Sequence, residues 1–173
     1  MARKGKMLCI DLSVFAILLL LDQYTKYLTV QKLKGRKPFV LIDRVLELQY
    51  LENRGSAFGM LQDQKFLILC IGFVFMALLL FLLLRLPADR KYIKLHVLFT
   101  MVIAGGVGNM IDRFRFDYVV DFISFVLINY PIFNVADIYI VVATLGLFFL
   151  FLFVFKEEDL EFLGLRNGAE DNN

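Results

Sequence analysis

The sequence predicts an all-α membrane protein, with four transmembrane helices and a small extracytoplasmic β element between helices 1 and 2. Three observations carry this. The 173 residues are 60% hydrophobic, with nineteen Phe, no Trp and a mean hydropathy of +0.70, too greasy for one soluble core of this size. The apolar residues fall in long runs bounded by basic side chains, as at membrane edges. Between the first two runs lies a mixed stretch in which Leu46, Leu48 and Tyr50 alternate with Glu47, Gln49 and Leu51, a period of two that indicates a half-buried strand. Nineteen basic against seventeen acidic residues give a net charge of +2, too balanced to suggest a nucleic-acid partner.

The first span is expected over 8–30. Arg3, Lys4 and Lys6 precede it as they would a secretory leader, but no small-x-small cleavage site follows, and the run continues past Asp22 to Val30. Asp11 and Asp22, eleven apart, share a helix face, with Lys26 one turn beyond Asp22, and that face should look into the protein. Asp22 and Lys26 read as an i,i+4 ion pair at the membrane edge, and Asp11 as an interfacial residue. The β element follows and should lie on the membrane. The next segment, 53–59, has two glycines and small neighbours, and reads either as a surface turn or as backbone that another group approaches closely.

The second span is expected over 66–84, between Lys65 and Arg85, and the third over 95–113 after a short basic loop. Ala104, Gly105, Gly106 and Gly108 mark close helix packing, since no strand precedes them and the dinucleotide-loop order is absent. His96, the only histidine, reads as interfacial, and Cys9 and Cys70 as core thiols without metal spacing. The fourth span is expected over 135–155, with Asn134 at its N-cap and Asp137 at N3 as in a capping arrangement. The polar tail 156–173 is expected to be disordered. The chain is one domain. The basic tail and the compact loop over 85–94 put both termini in the cytoplasm.

Chemistry is expected where polarity is costly. From Gly105 to Asp137, carboxyls and amides stand among apolar residues, with Asp121 and Asp137 sixteen positions apart. Four spans place Asp22, Asn53, Asn109, Asp112, Arg113, Asp121, Asn134 and Asp137 on one side of the membrane. Two carboxyls brought together at low dielectric share a proton, which sets a general base beside a general acid able to activate water against a carbonyl. Ser56 and Ser124 have no evident base. Acids without nearby His or Cys would suit only a hard cation, so no metal is expected. A proton-relay or transport protein would spread its acids through the membrane depth, whereas these gather near one face. A structural subunit would use them only as caps and ion pairs.

Five blocks in order resemble the lipoprotein signal peptidases (signal peptidase II), bacterial inner-membrane aspartyl proteases. They are Asp22-Gln23-x-Thr25-Lys26, Asn53-Arg54-Gly55-x-Ala57-Phe58-Gly59, Gly105-Gly106-x-Gly108-Asn109-x-x-Asp112-Arg113, Val119-Val120-Asp121-Phe122 and Phe133-Asn134-Val135-Ala136-Asp137. The resemblance implies that Asp121 and Asp137 are the catalytic pair. It implies cleavage before the diacylglyceryl-modified cysteine of a prolipoprotein signal peptide, at the outer face of the cytoplasmic membrane, by a monomer in contact with membrane lipid and without a cofactor. It further implies that Asn53, Asn109 and Asn134 bond the pair or the substrate backbone. Gly55 and Ala57 would leave room for peptide and lipid, and Asp22, Lys26, Asp112 and Arg113, with Ala136 in the last block, would support the site. Ile138 departs from the small polar residue common in the family after the second aspartate.

Overall fold

The computed structural model describes residues 2–55, 64–156, 158 and 159, so Ala57 and nearly all of the tail expected to be disordered lie outside the described residues. The chain runs α1 (Ala2–Leu33), β1 (Phe39–Ile42), β2 (Leu46–Asn53), α2 (Lys65–Arg85), α3 (Ile93–Phe116), β3 (Val119–Phe125) and α4 (Val135–Phe153), with a single 3-10 turn at Arg90–Tyr92 before α3. Three helical segments, Lys65–Arg85, Arg90–Phe116 and Val135–Phe153, are long and apolar enough to cross a membrane, which makes this a multi-pass membrane protein. α1 has 32 residues, about 48 Å at 1.5 Å per residue, and carries Asp11, Asp22 and Lys26 along its apolar length.

α3 is the axis of the bundle, and its small residues explain why. A Cβ on Gly105 would lie 2.6 Å from the Ala136 carbonyl oxygen of α4, one on Gly106 would lie 2.6 Å from Met76 Sδ of α2, and one on Gly108 would lie 2.4 Å from Asp22 Oδ2 of α1. Three neighbouring positions thus let three helices approach α3, the packing use expected of them. α2 shows the opposite character. Only Leu79 and Leu83 are buried, while Phe66, Phe73, Val74 and Phe81 point outward, as suits a helix bathed in lipid.

The sheet is larger than the sequence predicts. It has three antiparallel strands in the order β1-β2-β3, and β3 comes from the segment between the third and fourth helices. Asp121 therefore lies on a strand, opposite Leu51. Gly35, at φ +73°, reverses the chain from α1 into β1, a conformation open to glycine without strain. Asp117, left-handed at φ 67°, ends α3 and turns the chain into β3.

Several expectations about burial need correction. Asp11 and His96 are buried rather than interfacial, and pair across α1 and α3 with Asp11 Oδ2 2.8 Å from His96 Nδ1. Asp22 and Lys26 form their i,i+4 pair at 2.9 Å on the inward face expected of them, though deep in the bundle and not at the membrane edge, at 0% and 3% side-chain exposure. Cys9 and Cys70 are exposed instead of core thiols, because apolar side chains of a membrane protein face outward as readily as inward. Helix α1 runs past 8–30 at both ends and α3 runs to Phe116, while α4 ends at Phe153.

Candidate active site

Four elements bring the site together. β3 supplies Asp121, the first turn of α4 supplies Asp137, β2 ends in Asn53, and α3 presents Asn109, Asp112 and Arg113 at its C-terminal end. Asn134 ties the two acids to each other. Its side-chain oxygen accepts from the Asp137 backbone N–H at 3.1 Å, and the Asp137 Oδ2 accepts from the Asn134 backbone N–H at 3.0 Å, a complete capping box. Its amide nitrogen donates to Asp121 Oδ1 at 2.6 Å and to Asn109 Oδ1 at 3.1 Å. The start of α4 and the position of Asp121 are therefore set by one fully buried side chain.

Each acid is held on both oxygens. Asp121 Oδ2 accepts from Asn53 Nδ2 at 2.8 Å, and Asn53 is itself fixed by the Gly55 N–H, which donates to its Oδ1 at 3.0 Å. Asp137 Oδ1 accepts from Asn109 Nδ2 at 2.9 Å. Arg113 donates to the Gly55 carbonyl at 2.8 Å and so clamps the end of β2 to α3.

Behind the acids lies a charged layer. Lys26 Nζ reaches Asn109 Oδ1 at 2.8 Å, Asp22 Oδ2 at 2.9 Å and Asp112 Oδ2 at 3.1 Å, which uses all three of its protons. Asp22 Oδ1 accepts from the Ala136 backbone N–H at 3.1 Å and Asp112 Oδ2 from the Val120 N–H at 3.2 Å. One carboxylate thus holds the first turn of α4 and the other the strand of Asp121. Gln23, a member of the first block with no role expected from sequence, bridges the two, donating to Asp112 Oδ1 at 3.0 Å and to Asp22 Oδ2 at 3.2 Å. Its place one residue after Asp22 was the available signal.

The electrostatics separate the two acids. Asp121 is 1% exposed, and burial together with the nearby charge of Asp137 pushes its carboxyl up to about 6, against the pull of Asn53 and Asn134. Asp137 is half-buried at the N-terminus of α4, where the helix dipole favours negative charge. Four carboxyls (Asp22, Asp112, Asp121 and Asp137) face two cations (Lys26 and Arg113), an excess of two negative charges when all four are ionised.

Both acids line a cavity of about 1270 Å³ that opens between α2, the sheet and α4. Ile68, Ile71 and Gly72 of α2 form one wall and Ile140 and Val141 of α4 another, while Asn53, Asp121, Asn134 and Asp137 give it a polar floor. The shape suits an extended apolar chain brought against two carboxyls. Of the residues singled out from sequence, Asp22, Lys26, Asn53, Gly55, Asn109, Asp112, Arg113, Asp121, Asn134 and Asp137 join this network, and Ala136 joins through its backbone. Among the described residues no group of three or more His, Cys, Asp or Glu side chains could hold a metal ion.

Comparison with known proteins adds a separate finding. The family model for signal peptidase (SPase) II matches residues 14–154. A lipoprotein signal peptidase of Caldanaerobacter subterraneus subsp. tengcongensis is 39% identical over 81% of this chain and 94% of its own length. One from Clostridium tetani is 34% identical over 87% and 96%. A solved bacterial membrane enzyme, 25% identical, superposes with a TM-score of 0.76 over 83% of this chain and 87% of that one.

Proposed function

The chain belongs to the signal peptidase II family, and from that premise we propose that it is an aspartyl endopeptidase that removes the signal peptide from diacylglyceryl-modified prolipoproteins. The observation that carries the mechanism is the pair of carboxyls joined through Asn134 on the floor of a cavity walled by apolar side chains. Asp137, the more accessible acid at a helix N-terminus, is the base, and the buried Asp121, whose carboxyl binds its proton more tightly than usual, is the acid. Asp137 takes a proton from a water whose oxygen attacks the carbonyl carbon before the lipidated cysteine. Asp121 gives its proton to the carbonyl oxygen as charge develops there. Collapse returns that proton to Asp121 and breaks the C–N bond. The leaving nitrogen takes the proton held by Asp137, which releases a free carboxyl on the signal peptide and a free amine on the cysteine.

The topology serves that substrate. In this reading α1 is the fourth span, both termini are cytoplasmic, and the site lies at the outer face of the bacterial cytoplasmic membrane. A signal peptide arrives as a membrane helix with its peptide bonds shielded, so cleavage belongs at the interface, where the helix end unwinds and water enters. The lipid keeps the cysteine at that depth by about 0.8 kcal/mol for each buried CH₂. A monomer contains every residue this mechanism uses.

The deciding experiment incubates the purified chain in detergent with lipidated and unlipidated precursor, with and without chelator, beside Asp137→Asn. Cleavage of the lipidated precursor alone, unaffected by chelator and lost in the variant, is the expected result. Cleavage by the variant, or processing of neither precursor by the parent chain, refutes the proposal.

A further inference from the structure

Strand β1 is unlike the rest of the sheet. Consecutive strand residues point to opposite faces, and one face is normally covered, yet Phe39, Val40, Leu41 and Ile42 are all exposed, at 49–59%. β1 is also an edge strand. An exposed, apolar edge strand invites aggregation unless something covers it.

The surroundings of β1 indicate what does. Residues 31–45 hold five basic side chains, Lys32, Lys34, Arg36, Lys37 and Arg44, against the single acid Asp43. Lys34 pairs with Glu52 at 3.0 Å and Arg44 lies 3.7 Å from Asp43. Among the described residues no acidic side chain pairs with Lys32, Arg36 or Lys37. β1 also follows closely on the end of α1 at Leu33, whose last turns expose Tyr24 and Tyr27, as aromatics at a membrane boundary are.

We propose that the β1 hairpin is a docking surface for anionic phospholipid in the leaflet nearest the acidic pair. Its four apolar side chains enter the headgroup boundary, and Lys32, Arg36 and Lys37 meet lipid phosphates. Each basic side chain near an anionic surface strengthens such a hold about fivefold. The proposal rests on α1 crossing the membrane and does not depend on the cleavage chemistry, so its test reads lipid contact and not activity.

The chain has no tryptophan, so Leu41→Trp, or Phe39→Trp as a second reporter, places a single indole on the exposed strand. The full chain is placed in lipid nanodiscs of phosphatidylcholine, with or without phosphatidylglycerol, and quenching by brominated lipid is read. The expected result is blue-shifted, lipid-quenched emission that is stronger with phosphatidylglycerol, weakens in high salt, and loses its lipid preference when Lys32→Gln, Arg36→Gln and Lys37→Gln are combined. A water-exposed spectrum in anionic discs overturns the proposal, as does equal quenching in both lipids or a preference that survives the triple change. A blue shift without lipid quenching, seen only with two copies per disc, also overturns it and assigns the strand to a second copy of this chain.

Discussion

Replacing Asp121 by Asn tests both the chemistry and the electrostatics of the site. Folding raises the proton affinity of this carboxyl from an ordinary 3.8 to about 6. At about 1.4 kcal/mol for each tenfold change in affinity, that is worth about 3 kcal/mol. Because the folded value is the higher one, its contribution to stability is complete below pH 3.8 and is lost as pH rises through about 6. Asn at this position cannot ionise and removes that dependence. It also brings one N–H against the amide donors of Asn53 and Asn134, whose own oxygens are committed to Gly55 and Asp137, at a cost of about 1–3 kcal/mol. The variant should therefore be the less stable protein at about pH 4 and should draw level with or pass the parent near pH 7. Thermal unfolding of both proteins in detergent across that range should show the gap between them changing by about 6–12 °C. Cleavage by the variant should fall by at least about 10²–10⁴-fold. Parallel unfolding curves would refute the electrostatic reasoning, and retained cleavage the assignment of the acid.

Lys26→Met should destabilise the protein by about 3–5 kcal/mol in the same unfolding assay, since it strands the buried Asp22 and Asp112; a loss under about 1 kcal/mol would mean that the pair is not held by this cation. Gly108→Ala drives a Cβ into Asp22 Oδ2 and should cost about 3 kcal/mol, whereas Gly5→Ala meets nothing within 4 Å and should leave stability unchanged or raise it by up to about 1 kcal/mol. Asn53→Ala removes a donor that lowers the proton affinity of Asp121. Its pH–rate profile should show a lower maximum with the alkaline limb moved to higher pH, and an unmoved limb would count against Asp121 as the acid.

The helices were legible because a lipid-crossing helix needs a long apolar run, and Lys65 and Arg85 bracket one without ambiguity. The start of α4 was legible in finer detail because a capping box is a local pattern, with Asn134 and Asp137 three apart. β3 was not. Val119–Phe125 is a seven-residue, mostly apolar segment, which periodicity cannot assign to strand or helix, and its partner strand lies about seventy residues earlier. Burial was the least legible property. The pairing of Asp11 with His96 spans 85 positions, and nothing local to either residue announces the other. The inward face of Asp22 and Lys26 was legible from their spacing, but the depth of the pair followed from packing against Gly108 and Asp112, which that spacing does not reveal. Asp121 and Asp137 stood out for a simple reason, that a carboxyl in a greasy segment is costly to keep.

The double duty of Asn134 fixes where this chain can change length. At Leu127 and Ile128 the chain forms an exposed turn outside the strand, the helix and the cavity lining, so added residues there can bulge outward without moving either acid. Between Asn134 and Asp137 not one residue can be added or removed. A single insertion would rotate Asp137 by about 100° around the helix and at the same stroke break the capping box. The distance between the acids along the chain is thus free to drift, while the three-residue step that measures one against the other is not.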